Sequence, residues 1–398
     1  LLDCTDLGMS NHANDGGSMT QTIYRGLEDV LIDTTQVCFI DGDKGELIYR
    51  GYDIKELAAK ATFEEVIYLL WNNDLPTKAQ LEEFNAHLRP HYALPNEILD
   101  LLPHFPKTLH PMHALRTAVS MLSAYDENPD DLSPENIRRI GYSLVAKLPT
   151  LVATLERVRN DQTPVFPNPD YDIATNFLYM LTGQRPTQAA VRVMDTALVL
   201  HAEHSVNAST FVARSTASSL ADVFSAITAA VASLKGPLHG GANMATMMAL
   251  EGIGEVSKVE QYVLDTLSKP GGRVMGFGHR VYKVLDPRAA ILKEVAQHLS
   301  DEQGGNKWFQ MSLEMERVMD REMAKKGKQV KPNVDFFSAS IYRMLGFPTD
   351  MYTPIFAVAR IAGWMAHLYE QYANNRIMRP DLVYEGPRGK TFKAIEKR

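Results

Sequence analysis

The chain has 398 residues, 45% of them hydrophobic and 22% charged. These are ordinary globular values on a length that exceeds what one hydrophobic core usually organises, so two domains are expected. Lys and Arg number 41 against 48 Asp and Glu, a net charge of −7, and without a long basic block the electrostatic footprint of a nucleic-acid binder is lacking. The two cysteines, Cys4 and Cys38, are too few for a disulfide framework or a multi-cysteine zinc site, and they point to a reducing, cytoplasmic compartment.

In chain order, the opening LLDCTDLGMSNHANDGGSMTQ is polar and lacks the basic region and apolar core of a signal peptide. Residues 1–18 are expected to form a disordered extension, with a natural start at Met19. QVCFI (36–40) and ELIYR (46–50) flank the turn-rich DGDKG and predict a β-hairpin. Helix punctuation then takes over. Thr62 with Glu65 and Thr77 with Gln80 read as capping boxes, and Ser133-Pro134-Glu135 as an N-cap with proline at the first helical position. Helical patterns recur over 172–183, 187–203, 218–234, 257–267, 288–299, 307–326 and 353–375. The most apolar runs, 219–234 and 354–368, are too short or too interrupted to span a bilayer. The predicted fold is mainly α-helical with one small N-terminal hairpin.

Twelve histidines are unremarkable for this length, so only unusual surroundings single one out. His204, in LHAEHSVNAST, lies where an apolar helix turns abruptly polar at Asn207, Ser209 and Thr210. Taken alone it is more often a solvated or capping residue at a helix end. His201 and His204 could form a metal pair at i, i+3, but neither an HExxH motif nor a cysteine set accompanies them, and no metal is expected. His239, in KGPLHGGAN, and His279, in GFGHRVYKVLDPRA, resist the bland reading better. Flanking glycines let the backbone come close to a ligand and leave N–H groups free to bind an anion.

Arg288 follows Asp286-Pro287, which presets the local backbone, and Arg379 precedes a proline in RIMRPDLVY. Arg360 sits in the nearly apolar FAVARIAGWMAHL, where a buried guanidinium needs an anionic partner. Asp335, in KPNVDFFSASIY, reads either as an N-cap or as a general base whose pKa is raised by Val334, Phe336 and Phe337. Three imidazoles, three guanidiniums and one carboxylate suit a small polycarboxylate substrate and proton abstraction beside a carbonyl. A helical scaffold without catalysis would need neither an arginine inside FAVARIAGW nor histidines between glycines.

In combination, LHAEHSVNAST, KGPLHGGAN, VMGFGHRVYKVLDPRA, PNVDFFSA and the arginine helix with its following Arg-Pro closely resemble the citrate synthase family. RGYDI (50–54) and HPMHALRTAVS (110–120) extend the likeness, which runs from about residue 22 to the C-terminus; HPMH departs from the HPMD of many relatives, outside the chemical motifs. The resemblance implies condensation of oxaloacetate with an acyl-CoA and water, with no permanently bound cofactor. It casts Asp335 as the base, His239 as hydrogen-bond donor to the thioester oxygen and His279 as polariser of the ketone. His204, Asn207, Arg288 and Arg360 would hold oxaloacetate, with Arg379 reaching the partner's site. The segment Val274, Met275, Gly276, Phe277, Gly278 would clasp CoA, with Arg280, Lys283, Lys331 and Asn333 as weaker contacts. It further implies a homodimer with shared sites, a large domain (19–240 with 346–398) and a small one (241–345) that closes over oxaloacetate. Acetyl-CoA is the expected acyl donor, with propionyl-CoA and 2-methylcitrate as the rival reading and a metal-dependent lyase or hydrolase as a distant one.

Overall fold

The computed structural model describes residues 23–398; the extension expected over 1–18 and Cys4 lie outside the described residues. The chain divides into a unit ending at Thr35 and a unit running from Gln36 to Arg398. The first, in its described part, holds a single 3-10 turn at Arg25–Leu27.

The second unit opens on strands β1 (Cys38–Asp41) and β2 (Glu46–Tyr49), paired antiparallel with Cys38 opposite Tyr49 and Asp41 opposite Glu46. Asp41 closes the turn, its Oδ1 accepting from the N–H groups of Asp43 and Lys44 at 3.0 Å. A third short strand, β3 (Tyr52–Asp53), adds to β2, so the expected hairpin is a three-stranded sheet. Alternation along β2 buries Leu47 and Tyr49.

Helices follow in close succession. They are α1 (Ile54–Lys60), α2 (Phe63–Asn72), α3 (Lys78–Leu88), α4 (Asn96–Leu101), α5 (Pro111–Leu122) and α6 (Pro134–Arg159). Next come α7 (Ile173–Thr182), α8 (Gln188–His201), α9 (Ala208–Ala217), α10 (Val223–Leu234) and α11 (Ala242–Ile253). The last are α12 (Val259–Ser268), α13 (Pro287–Glu302), α14 (Lys307–Lys325), α15 (Val334–Met344) and α16 (Tyr352–Ala373). Both predicted capping boxes are formed, at Thr62/Glu65 and Thr77/Gln80, and Ser133 caps α6 ahead of Pro134. The helix predicted from 218 begins only at Val223, because Asp222 takes the cap by accepting from Ser225 N–H.

Helix α16 is the axis of the core. Every residue from Tyr352 to Leu368 is buried, as expected of a helix that is apolar all round, and it packs against α2, α6, α8, α9 and α10. Helices α11 to α15 pack on one another, chiefly through α15 against α13, α11 and α14. They meet the rest of the unit where α13 contacts α1 and α8 and where α11 contacts α16. His204, His239, His279, Arg288, Asp335 and Arg360 lie on these helices or on the links that lead into them.

Candidate active site

His204 lies on the irregular link between α8 and α9, where Ser205 takes a positive φ of 51°, an uncommon conformation for a residue with a β-carbon. Asn207 caps α9, its Oδ1 accepting from Thr210 N–H at 3.1 Å. Asn207 Oδ1 also lies 2.8 Å from the Ser209 hydroxyl. The His204 ring sits 5.2 Å from that of His279, edge to face, and its Nε2 lies 3.3 Å from the Tyr282 hydroxyl. Burial, then the charges of Arg288, His279 and Arg360, hold the His204 pKa well below the usual imidazole value.

His279 is oriented by its own loop. The N–H groups of Val281 and Tyr282 both donate to its Nδ1, at 3.0 and 3.2 Å. Burial, then Arg288, brings its pKa down to about 4, so the ring is neutral at physiological pH. A neutral imidazole that accepts at Nδ1 carries its proton on Nε2. His239, between α10 and α11, is fixed in the opposite sense. The Ser209 N–H donates to its Nε2 at 3.3 Å and the Ser209 hydroxyl lies 2.8 Å away, which assigns the proton to Nδ1. Its pKa is also about 4, lowered by burial and then by Arg360. Both imidazoles are therefore donors of a single proton, not cations.

Arg288 and Arg360 are almost fully enclosed. Arg288, 2% exposed, forks from Nε and Nη2 onto Asp286 at 3.0 and 2.8 Å. Burial opposes its charge, but the Asp286 carboxylate more than offsets this and the pKa is raised. Asp286 also caps α13 by accepting from Arg288 N–H, so one carboxylate presets both backbone and guanidinium. Arg360, 1% exposed, donates from Nε to the His201 carbonyl at 2.7 Å and lies 4.7 Å from the Phe356 ring centroid. Burial lowers its pKa to about 10, with Glu203 the first charge opposing that fall. The Phe356 ring also faces His201 and His239, at 5.0 and 6.5 Å between centroids.

Asp335 stands in the first turn of α15. The cap is Asn333, whose Oδ1 accepts from Asp335 N–H at 3.0 Å, so the N-cap alternative for Asp335 is overturned and its carboxyl is free for chemistry. Its Oδ1 is buried without a hydrogen-bond partner. Burial raises the pKa to about 7, while Arg288 and Arg360 pull it down. An acid poised near neutrality within the field of two enclosed guanidiniums is the pattern of a proton-abstracting site.

The glycine segment pairs with the chain leading into α15. Gly278 N–H donates to the Lys331 carbonyl, Asn333 N–H to the Gly276 carbonyl and Asn333 Nδ2 to the Gly278 carbonyl, each at 2.9 Å. Phe277 bridges Pro332. Gly276 and Gly278 have φ of +79° and +83°, and Val274 is buried while Met275 is half-buried. Of the weaker candidates, Lys331 and Asn333 belong to this joint. Lys283 pairs with Asp43 at 2.8 Å, Lys331 with Asp320 at 2.9 Å, and Arg280 is exposed. The Arg379 side chain is 80% exposed, beside Asp381 at 3.4 Å.

Sequence reading missed Tyr282, which touches the rings of both His204 and His279, and the role of Ser209. Ser209 is held by the Trp364 indole N–H at 3.1 Å. It also left Asp286 as a backbone device. The polar switch after His204 was the only local signal for Ser209. Among the described residues, no three His, Cys, Asp or Glu side chains gather as a metal cage.

The family model for the citrate synthase C-terminal domain matches residues 26–381. The chain is 47% identical to citrate synthase 2 of Bacillus subtilis over 95% of its own length and 100% of that protein. It is 41% identical to the citrate/2-methylcitrate synthase of the same organism, over 92% and 97%. The citrate synthase of Thermoplasma acidophilum, solved as a ternary complex with carboxymethyl coenzyme A and oxaloacetate, is 33% identical. It aligns with a TM-score of 0.89 over 95% of this chain and 100% of that one. With matches that run nearly end to end and a helical fold superposable on a solved relative, the chain belongs to the citrate synthase family.

Proposed function

We propose that the protein condenses oxaloacetate with acetyl-CoA and water to give citrate and CoA. The observation that carries this reading is Asp335. Its Oδ1 is buried without a hydrogen-bond partner, and burial pushes the carboxyl pKa up to about 7, within the field of two enclosed arginines. Ionised, it takes a proton from the methyl carbon of the thioester. The Nδ1–H of His239 donates to the thioester oxygen as enolate charge develops there. The enol carbon attacks the keto carbon of oxaloacetate, and the Nε2–H of His279 donates to the ketone oxygen as it becomes a hydroxyl. His204 and Asn207 orient oxaloacetate, and Arg288 and Arg360 hold its carboxylates. Water then cleaves the citryl thioester and releases CoA. No permanently bound cofactor enters this scheme.

The paired backbone of 274–278 and 331–333 offers a rigid edge for the CoA moiety, with Arg280, Lys283 and Lys331 beside it. Helices α11 to α15 belong to a small domain (241–345) that closes over oxaloacetate and excludes water from the enolate. The working unit is a homodimer in which Arg379 serves the partner's site; its exposure and its single weak ion pair suit a residue whose target lies off its own chain.

The likeness to a citrate/2-methylcitrate synthase favours propionyl-CoA as the second donor to test. One methylene changes discrimination by only about 1–3 kcal/mol. Thiol release from oxaloacetate with each acyl-CoA is expected to give the higher kcat/KM with acetyl-CoA and to be unchanged by excess EDTA. A higher value with propionyl-CoA reassigns the substrate, and no thiol release with either rejects the reading.

A further inference from the structure

Three consecutive residues before His204 are each bonded to one face of α16. The His201 carbonyl accepts from Arg360 Nε at 2.7 Å, the Ala202 carbonyl from Gly363 N–H at 3.1 Å, and Glu203 Oε1 from His367 Nε2 at 2.9 Å. Positions 360, 363 and 367 follow the i, i+3, i+7 spacing of a single helical stripe. The strap is also gripped from its other side. The Tyr49 hydroxyl donates to the Glu203 carbonyl at 2.8 Å and accepts from Glu203 N–H at 3.2 Å. Gly363 permits the approach, because a β-carbon there would fall 2.1 Å from Glu203 Oε2 and 2.5 Å from the Ala202 carbonyl oxygen. Glu203 and His367 are both fully buried. A carboxylate and an imidazole enclosed at a buried helix interface are expensive unless they hold something in place.

We infer that His367 is a positioning residue: through Glu203 it fixes the 201–203 strap on α16, and so sets His204 and Arg360 in register for oxaloacetate. This rests on the assignment of His204 and Arg360 to oxaloacetate above. Arg360 and His367 secure opposite ends of the same strap, so loosening one end displaces the ketoacid grip. The acyl-CoA side, built on residues 274–278 and 331–333, is untouched.

The test is a split in Michaelis constants. His367→Leu removes the donor and leaves Glu203 Oε1 buried without that hydrogen bond, so the oxaloacetate KM should rise about tenfold or more. The acyl-CoA KM should stay within about threefold. His367→Gln, whose amide nitrogen reaches about where Nε2 sits, should restore the oxaloacetate KM to within about threefold of wild type. Unchanged constants in His367→Leu, or equal rises in both constants without rescue by glutamine, overturn the inference. Should the leucine variant fail to fold, His367→Asn, whose amide stops short of the carboxylate, takes its place. An oxaloacetate KM equal to that of the glutamine variant then overturns it. If the wild-type chain releases no thiol, the condensation reading fails by itself. The thermal shift produced by oxaloacetate then makes the same comparison: a shift lost in His367→Leu and kept in His367→Gln supports the inference, and equal shifts reject it.

Discussion

Burial acts on Asp335 and on the site histidines in opposite directions, and the proposed chemistry depends on both. It lifts the acid to about 7 and lowers His239 and His279 to about 4, disfavouring the charged form in each case. The expected pH profile of kcat/KM for the acyl-CoA therefore has one acid limb with a midpoint near 7, from ionisation of the base, and no histidine limb near 6.5. A profile flat from pH 5.5 to 8 would remove Asp335 as base. The stability sign follows from the same shift. Because the folded pKa lies above the unfolded value of 3.8, the native state binds the extra proton between those values, and the associated stability is lost as pH rises through 7. Asp335→Asn should accordingly raise Tm more at pH 8 than at pH 5. His239, His279 and Asp335 were legible because each stands beside glycines or aromatics that a plain helix does not need. Tyr282 was not, because its contact with His204 spans 78 positions and leaves no local pattern.

At the scale of elements, the reading of helices from caps and periodicity carried well, since capping boxes are chemistry within four residues. It failed where two segments decide each other's form. GFG and KPN are joined by reciprocal hydrogen bonds, and this pairing places Asn333 at the cap of α15 and turns Asp335 inward. Gly276 is the tightest point of that joint. A β-carbon there would lie 2.8 Å from Phe336 Cδ2 and 2.9 Å from Thr246 Oγ1, on a backbone with φ +79°. Gly276→Ala should lower stability by about 1–3 kcal/mol and raise the acyl-CoA KM more than the oxaloacetate KM. Thermal melts and the two Michaelis constants check this, and an alanine variant with wild-type melting and kinetics would show the joint to be slack.

For the whole molecule, the mainly helical architecture followed from composition and punctuation, whereas the division of labour between subunits had to be inferred from resemblance. An exposed arginine such as Arg379 has no signature of its own. If it completes the partner's site, mixing Arg379→Ala chains with Asp335→Asn chains in equal amounts should recover about a quarter of wild-type activity. Random pairing makes half the dimers mixed, and each mixed dimer keeps one intact site of two. No recovery would show each subunit to be self-sufficient. Helix α16 sets a different limit. Arg360, Trp364 and His367 bond the His201 carbonyl, the Ser209 hydroxyl and the Glu203 carboxylate, on a segment with no solvent-facing side from Tyr352 to Leu368. Mutational libraries aimed at new acyl donors should find few viable members there. Their tolerant positions are expected outside this helix.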